Sequence, residues 1–182
     1  MQRHFETKGI NPAPRKALPF IVGMKSVGNK FSPKVSSVNT RCGVNRIIDA
    51  NINRAKEGLR VCEEITRFIL NNRKLTSDFK TIRHRIDGII KYLPVSLPDL
   101  LKTRRSREDV GRNIYLGELK RKNLSDIFFA NVQRVKESIR VLEEFSKLIN
   151  IKFAIKFKRV RYNVYEIEKK TAGKILSLCN RR

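Results

Sequence analysis

The chain contains the segment Ala50-Asn51-Ile52-Asn53-Arg54-Ala55-Lys56-Glu57-Gly58-Leu59-Arg60-Val61-Cys62-Glu63-Glu64. Residues 130–144 repeat this segment at an offset of 80 positions, with nine of fifteen residues identical. In both copies apolar residues recur every three or four positions, which is the period of a helix with one buried face. A weaker match follows each copy, over residues 79–83 and 157–161. The sequence therefore predicts a duplicated helical hairpin.

Four apolar stripes of helical period run through residues 44–182, and no segment alternates with the period of a strand. The stripes cover about residues 44–69, 75–93, 127–149 and 153–178. Pro94 closes the second stripe, and Asn123 or Ser125 is the predicted N-cap of the third. Two hairpins that bury their stripes against each other form an all-α four-helix bundle with pseudo-two-fold symmetry.

Residues 1–43 form a basic leader that lacks such a stripe. The segment holds four of the six prolines, and its eight Lys and Arg face one acid, Glu6. We expect a disordered leader ahead of one domain over residues 44–182. Two alternatives stay open: an organelle transit segment, which the prolines oppose, or a true start at Met24. The expected location is the cytoplasm, or an organelle if the leader is a transit segment.

The net charge of +24, from 41 Lys and Arg against 17 Asp and Glu in 182 residues, is the most obvious feature of the composition. Such a charge is typical of nucleic-acid-binding proteins. However, the chain has no zinc-finger or RGG motif, and with no Trp and four Tyr it offers few rings for base stacking. No apolar run approaches the ~18 residues of a membrane helix. Three widely spaced cysteines predict no disulfide framework and favour a reducing compartment.

Polar residues interrupt the apolar stripe of both copies at equivalent positions. They are Asn51, Arg54 and Glu57 in the first copy and Asn131, Arg134 and Glu137 in the second. Because an unpaired buried Arg is costly, two interpretations remain: a closed polar network that fixes the register, or a core pocket in which the arginines bind an anion. Arg83 and Arg161, on the flanks of their stripes, would add donors.

Three further features of the sequence have simpler interpretations. Arg60, Glu63 and Glu64, with Lys56, are spaced as a solvated, salt-bridged helix face. Cys62 lies in the apolar stripe and is predicted to be a core residue. The connection at residues 104–112, Arg-Arg-Ser-Arg-Glu-Asp-Val-Gly-Arg, carries Asp109 among arginines. Such a loop suits phosphates, with Asp109 holding Mg²⁺.

The segment from Asp49 to Glu64, with Leu75-Thr76, Arg83-His84-Arg85, Asp109-Val110-Gly111 and the second copy at 130–144, resembles a family of helical domains linked to thiamine biosynthesis. The resemblance covers about residues 44–170. The family often occurs fused ahead of thiamine phosphate synthase, and its members are understood as alternative hydroxymethylpyrimidine phosphate kinases.

The resemblance implies an enzyme, a phosphotransferase that uses ATP and Mg²⁺ to convert hydroxymethylpyrimidine phosphate into the diphosphate. On that hypothesis Asp109 holds the metal. The catalytic residues are Arg54, Arg134, Glu57 and Glu137. The substrate is bound by four further polar residues, namely Asn51, Asn131, Arg83 and Arg161. Two other hypotheses compete with the kinase. One is a basic nucleic-acid-binding helical protein, and the other is a non-catalytic partner of a separate thiamine phosphate synthase.

Overall fold

The computed structural model describes residues 37–112 and 120–179. Within these ranges the chain forms helices and no strand, which confirms the all-α prediction. The helices are α1 (Ser37–Glu64), α2 (Arg73–Ile90), α3 (Leu97–Lys102), α4 (Leu124–Ser146) and α5 (Ile151–Cys179). A π-helical turn, Ile65–Ile69, follows α1, and a short 3-10 turn, Ser106–Glu108, follows α3. None of these described helices is both long and apolar enough to cross a membrane.

The four long helices form a bundle in which the two repeats pack side by side. Helix α1 contacts α2 and α4, and α5 contacts α4 and α2, so that each long helix has two long neighbours. Helices α1 and α4 run antiparallel, because Gly58 lies against Asn131 and Val135 while the Cys62 thiol lies 4.0 Å from the Phe128 carbonyl oxygen. The predicted four-helix bundle of two duplicated hairpins is therefore confirmed.

Side-chain caps start the second helix of the first repeat and the first helix of the second repeat. The Asn72 side chain accepts a hydrogen bond from the Leu75 amide at 3.0 Å, and the Asn123 side chain accepts one from the Asp126 amide at 2.9 Å. Each cap satisfies an amide that lacks a partner in the first helical turn. Of the two caps predicted for the third stripe, the structure shows Asn123.

Both ends of the first helix differ from the sequence prediction. Helix α1 begins at Ser37, inside the segment predicted as a disordered leader, and residues 39–43 are exposed. A helical turn that buries nothing needs no apolar stripe, so the sequence carries no signal for it. At the other end, the wide π-helical turn changes the direction of the side chains, and Phe68 and Ile69, predicted to be buried, are exposed. Residues 1–36 lie outside the described residues.

Aromatic and aliphatic side chains of all four long helices form one core. Phe79 from α2, Phe128 from α4 and Phe157 from α5 are fully buried, and the rings of Phe79 and Phe128 meet edge to face at 6.3 Å. Cys62 is also fully buried, as predicted. Burial, with a smaller contribution from the charge of Glu168, raises the pKa of the Cys62 thiol to about 12, so this thiol stays protonated and unreactive.

Candidate anion-binding site

Arg54 and Arg134 lie on the surface of the bundle, not inside it. Both side chains are exposed, and the buried side of α1 is centred on Ile48, Ala55 and Leu59. The stripe predicted from the sequence includes Arg54, whereas the buried side of α1 leaves Arg54 at a solvated edge. The prediction that Arg54 and Arg134 line a pocket in the core is therefore wrong.

The two equivalent asparagines hydrogen-bond within their own helices. Asn51 is buried, and its amide donates to the Ile47 carbonyl at 2.8 Å. Asn131 is half-buried, and its amide donates to the Ile127 carbonyl at the same distance. Each bond satisfies one side-chain amide hydrogen of an asparagine at the inner face of its helix, and this is a structural role. Their predicted role in substrate binding stays a prediction.

Arg83 and Arg161 each pair with a buried glutamate. Arg83 Nε lies 3.1 Å from Glu63 Oε2, and Arg161 Nη2 lies 2.9 Å from Glu143 Oε2. Burial opposes the charge of Arg161, but its hydrogen bonds to Tyr165 and Glu143 outweigh that effect and raise the pKa of the guanidinium. These pairs join the two helices of each hairpin. The predicted role of Arg83 and Arg161 in substrate binding stays a prediction.

The same contacts revise the interpretation of the polar face of α1. Arg60 Nη2 lies 2.7 Å from Glu64 Oε1 on a partly solvated surface, as predicted. Glu63, in contrast, is 3% exposed and accepts hydrogen bonds from both Arg60 and Arg83. The sequence could not distinguish the two glutamates, because the partner that draws Glu63 inward lies on another helix.

A small cleft between α1 and the connection after α3 is lined by four arginines. Its volume is about 190 Å³. It is lined by Arg46, Asp49, Ala50, Asn53 and Arg54 from α1 and by Arg104, Arg105, Ser106 and Asp109 from the connection. Four arginines and two aspartates thus line the cleft; Arg104 pairs with Asp49, and Arg105 pairs with Glu108 at 3.7 Å. The excess of positive charge and the fork-like donors of arginine suit a phosphate or another oxyanion.

Asp49 and Arg104 hold the two walls of this cleft together. Arg104 donates from Nε and Nη2 to the two carboxylate oxygens of Asp49, each at 2.8 Å, across 55 residues of sequence. The Asp49 side chain is 7% exposed and that of Arg104 is 44% exposed. The hydrogen bonds and charge of Asp49, with a smaller contribution from Glu57, raise the pKa of the Arg104 guanidinium. Arg104 therefore presents a fixed, fully charged group at the rim.

Asp109 has no second carboxylate partner suited to a metal ion. Its Oδ1 accepts a hydrogen bond from the Gly111 amide at 2.9 Å, which closes a turn. Asp49, the other carboxylate of the cleft, is already paired with Arg104. No group of three or more His, Cys, Asp or Glu side chains in residues 37–112 and 120–179 is arranged to hold a metal. The cleft therefore fits Mg²⁺ only as a companion of bound phosphates, with Asp109 as its one available carboxylate.

The structure brings together only part of the predicted site. Arg54 and Asp109 line the cleft, and Glu57 is near enough to act on Arg104. Glu137 lines a separate open groove with Gln133, Lys136 and Arg140, away from the connection. The roles assigned to Arg134, Glu137 and Asn131 stay predictions.

The second repeat does not reproduce the cleft. The α4 positions equivalent to Arg46, Asp49 and Asn53 hold Asp126, Phe129 and Gln133. Phe129 packs edge to face on Phe128 at 5.3 Å, where α1 instead has the Asp49 carboxylate. Sequence reasoning missed Arg46, Asp49 and Asn53 as lining residues. The signal that could have found Asp49 is this break in the repeat, a carboxylate where the other copy has an aromatic ring.

Residues 37–112 and 120–179 thus form an all-α bundle with an arginine-rich cleft at its surface. Comparison with known proteins gives the family: residues 46–170 match the ThiD2 family, and the chain belongs to it. It is 39% identical over 129 residues to a thiamine-phosphate synthase of Synechocystis sp. and 39% identical over 131 residues to one of Nostoc punctiforme. A third relative, the thiamine-phosphate synthase of Rhodopirellula baltica, is 39% identical over 133 residues.

These alignments cover 70–71% of the chain but only 35–36% of the relatives, so the chain spans about a third of their length. No solved structure matches the chain. The match begins at Arg46 and ends at Lys170, and therefore includes both walls of the cleft.

Proposed function

We propose that this protein acts in thiamine biosynthesis by transferring the γ-phosphoryl group of ATP to hydroxymethylpyrimidine phosphate. Two observations support the proposal: membership of the ThiD2 family and similarity to thiamine-phosphate synthases. The observation that carries it is the cleft that Arg46, Arg54, Arg104 and Arg105 line together. Because both substrates are phosphorylated, the reaction needs such a concentration of fixed positive charge.

The size of the cleft suits the reacting end of the substrates. Its volume of about 190 Å³ is below the roughly 300–1,000 Å³ of pockets that enclose a whole drug-sized ligand. It therefore has room for phosphate groups, while the pyrimidine and the nucleoside would lie across its rim. Asn53 and Ser106 line the same cleft and offer neutral donors beside the arginines.

In the proposed reaction an ionised phosphate oxygen of the pyrimidine substrate attacks the γ-phosphorus of ATP, and the bond between that phosphorus and ADP breaks. The attacking oxygen carries no proton that must be removed, so a strong general base is unnecessary. Arg54 and Arg46 neutralise the phosphate oxygens, and Asp49 keeps Arg104 in place. Mg²⁺, carried in with the nucleotide and contacting Asp109, would supply further charge neutralisation.

The test is a coupled assay of ADP release by the purified chain with ATP, Mg²⁺ and hydroxymethylpyrimidine phosphate. We expect turnover that requires both substrates and falls at least a hundredfold in Arg54→Ala, about 3 kcal/mol of transition-state stabilisation. Arg41→Ala is the matched control, since Arg41 is also an exposed arginine of α1 but lies outside the cleft. Equal turnover of the two variants would contradict the proposed site.

The repeat provides a second comparison. Arg134 is the equivalent of Arg54 on α4, where the cleft is not reproduced. If Arg54→Ala loses turnover and Arg134→Ala keeps it, the reaction belongs to the cleft alone. Equal losses would instead support the predicted catalytic role of both arginines. No turnover at all, combined with co-purification of a thiamine phosphate synthase, would favour the non-catalytic partner.

A further inference from the structure

The charges of the bundle are segregated between its two sides. Helices α1 and α4, which pack against each other, together carry eight Lys or Arg and eight Asp or Glu. Helices α2 and α5, which form the other side, carry thirteen Lys or Arg against four Asp or Glu. Because the first helix of each hairpin is balanced and the second is basic, the duplication itself places the excess charge on one face.

Most cations of this α2–α5 face are exposed and lack an ion pair. Arg83 and Arg161 turn inward to Glu63 and Glu143, while Lys56 and Lys136 of the other layer neutralise Asp87 and Glu168. The remaining eleven cations are all exposed, and none of them forms a salt bridge within the described residues. They are Arg73, Lys74, Lys80, Arg85, Lys152, Lys156, Lys158, Arg159, Lys169, Lys170 and Lys174.

Only two carboxylates remain on this face. Asp78 and Glu166 lie in a groove at the seam of the two helices, beside Arg85 and Lys170. A surface with eleven cations against two carboxylates repels itself in the free protein. Self-repulsion of this kind is relieved when a polyanion replaces the small counterions.

We propose that the α2–α5 face binds the phosphate backbone of a nucleic acid duplex, independently of the arginine-rich cleft. On α5 the cations extend from Lys152 to Lys174, about 33 Å at 1.5 Å per residue, which is close to one turn of a duplex. The two helices are adjacent, so their exposed cations form one continuous basic surface. A rigid duplex complements such a surface with a regular series of phosphates.

Other polyanionic partners fit this face less well. A protein interface or a membrane contact needs exposed apolar anchors. Helix α2, which forms half of this face, exposes no large apolar side chain within Arg73–Ile90, and the five that α5 exposes are outnumbered by the eleven exposed cations. A single strand would need free rings for stacking. The exposed rings of α5, Tyr162 and Tyr165, instead pack against each other at 5.8 Å and against Arg161.

The experiment measures the fluorescence anisotropy of a labelled 20-base-pair duplex of mixed sequence with the full chain, from 50 to 200 mM KCl. We expect micromolar affinity at the lowest salt that falls steeply as salt rises. The triple variant Lys80→Gln, Lys158→Gln, Lys169→Gln should bind at least tenfold more weakly. Its salt dependence should also flatten by up to about 0.9 in log–log slope for each phosphate contact removed.

The control removes the same charge from another part of the molecule. Arg41→Gln, Lys120→Gln, Lys122→Gln changes three exposed cations outside the α2–α5 face and should lose less than threefold. Equal losses in the two triple variants, or no binding by the full chain, would overturn the proposal. So would tighter binding to a single strand of the same length or to vesicles containing phosphatidylserine. The α2–α5 variant should keep its ADP release, which separates this test from that of the proposed function.

Discussion

Gly58 sets how closely α1 and α4 approach, and replacing it with alanine should destabilise the fold. A Cβ atom at this position would lie 2.7 Å from Val135 Cγ2 and 2.9 Å from the backbone oxygen of Asn131. The optimum for two carbon atoms is about 3.5–4.0 Å, so the helices must separate or strain. Overpacking of this kind costs about 1–3 kcal/mol. The helix propensity of alanine returns about 1 kcal/mol, which leaves a net loss of roughly 0–2 kcal/mol.

The matched control is Gly88→Ala on α2. An added Cβ at Gly88 meets nothing within 4 Å, so this variant gains helix propensity without a clash and should be stabilised by about 0.5–1 kcal/mol. The difference between the two variants isolates the contact and should be about 1–3 kcal/mol. Urea unfolding followed by circular dichroism at 222 nm measures it. If Gly58→Ala is as stable as Gly88→Ala, the close approach of α1 and α4 is refuted.

The remaining predictions concern the ion pairs and the core thiol. Glu143→Gln should lower the free energy of unfolding by about 3 kcal/mol, because it leaves Arg161 largely buried without its counterion. Glu144→Gln, in a partly exposed pair, should cost less than about 1 kcal/mol in the same urea titration. The pKa of Cys62, raised from 9.0 to about 12, means that between these values the unfolded chain releases a proton that the folded chain retains. The free energy of unfolding should therefore fall as pH rises above 9. Its slope against pH should be steeper than that of Cys62→Ala by up to about 1.4 kcal/mol per pH unit. Parallel pH curves for the two proteins would contradict the burial of this thiol.

The helical stripes alone located all four long helices, because each helix buries one face for most of its length. The prediction worked best where burial is deepest: the stripe through Phe79, Ile82 and Ile86 coincides with the buried side of α2. It failed where a helix buries nothing, as at residues 39–43, and where the helical period changes, as in the π-helical turn after Glu64. In both places the local sequence pattern does not indicate which side chains are buried.

The cleft was only partly predictable. The connection with Asp109 was selected for its arginines and its carboxylate, and Asp109 does line the site. Arg54 is a predicted site residue because it interrupts a stripe predicted to be buried, yet it lies in the cleft as an exposed residue. Asp49 was missed as a site residue, since its significance depends on Arg104, 55 residues away. A single sequence gives no measure of that distance in space.

The duplication, the helical class and the total charge follow from the sequence alone, because repeated periodicity and composition are properties of the chain itself. Which side of each helix is buried depends on the neighbouring helices. The packing of the helices against one another leaves Arg54 at a surface cleft and pairs Arg83 and Arg161 with buried glutamates. It also leaves eleven cations without an ion pair on the α2–α5 face. Only the tertiary structure decides these outcomes, since charge and hydrogen bonding act over distances in space, and not along the chain.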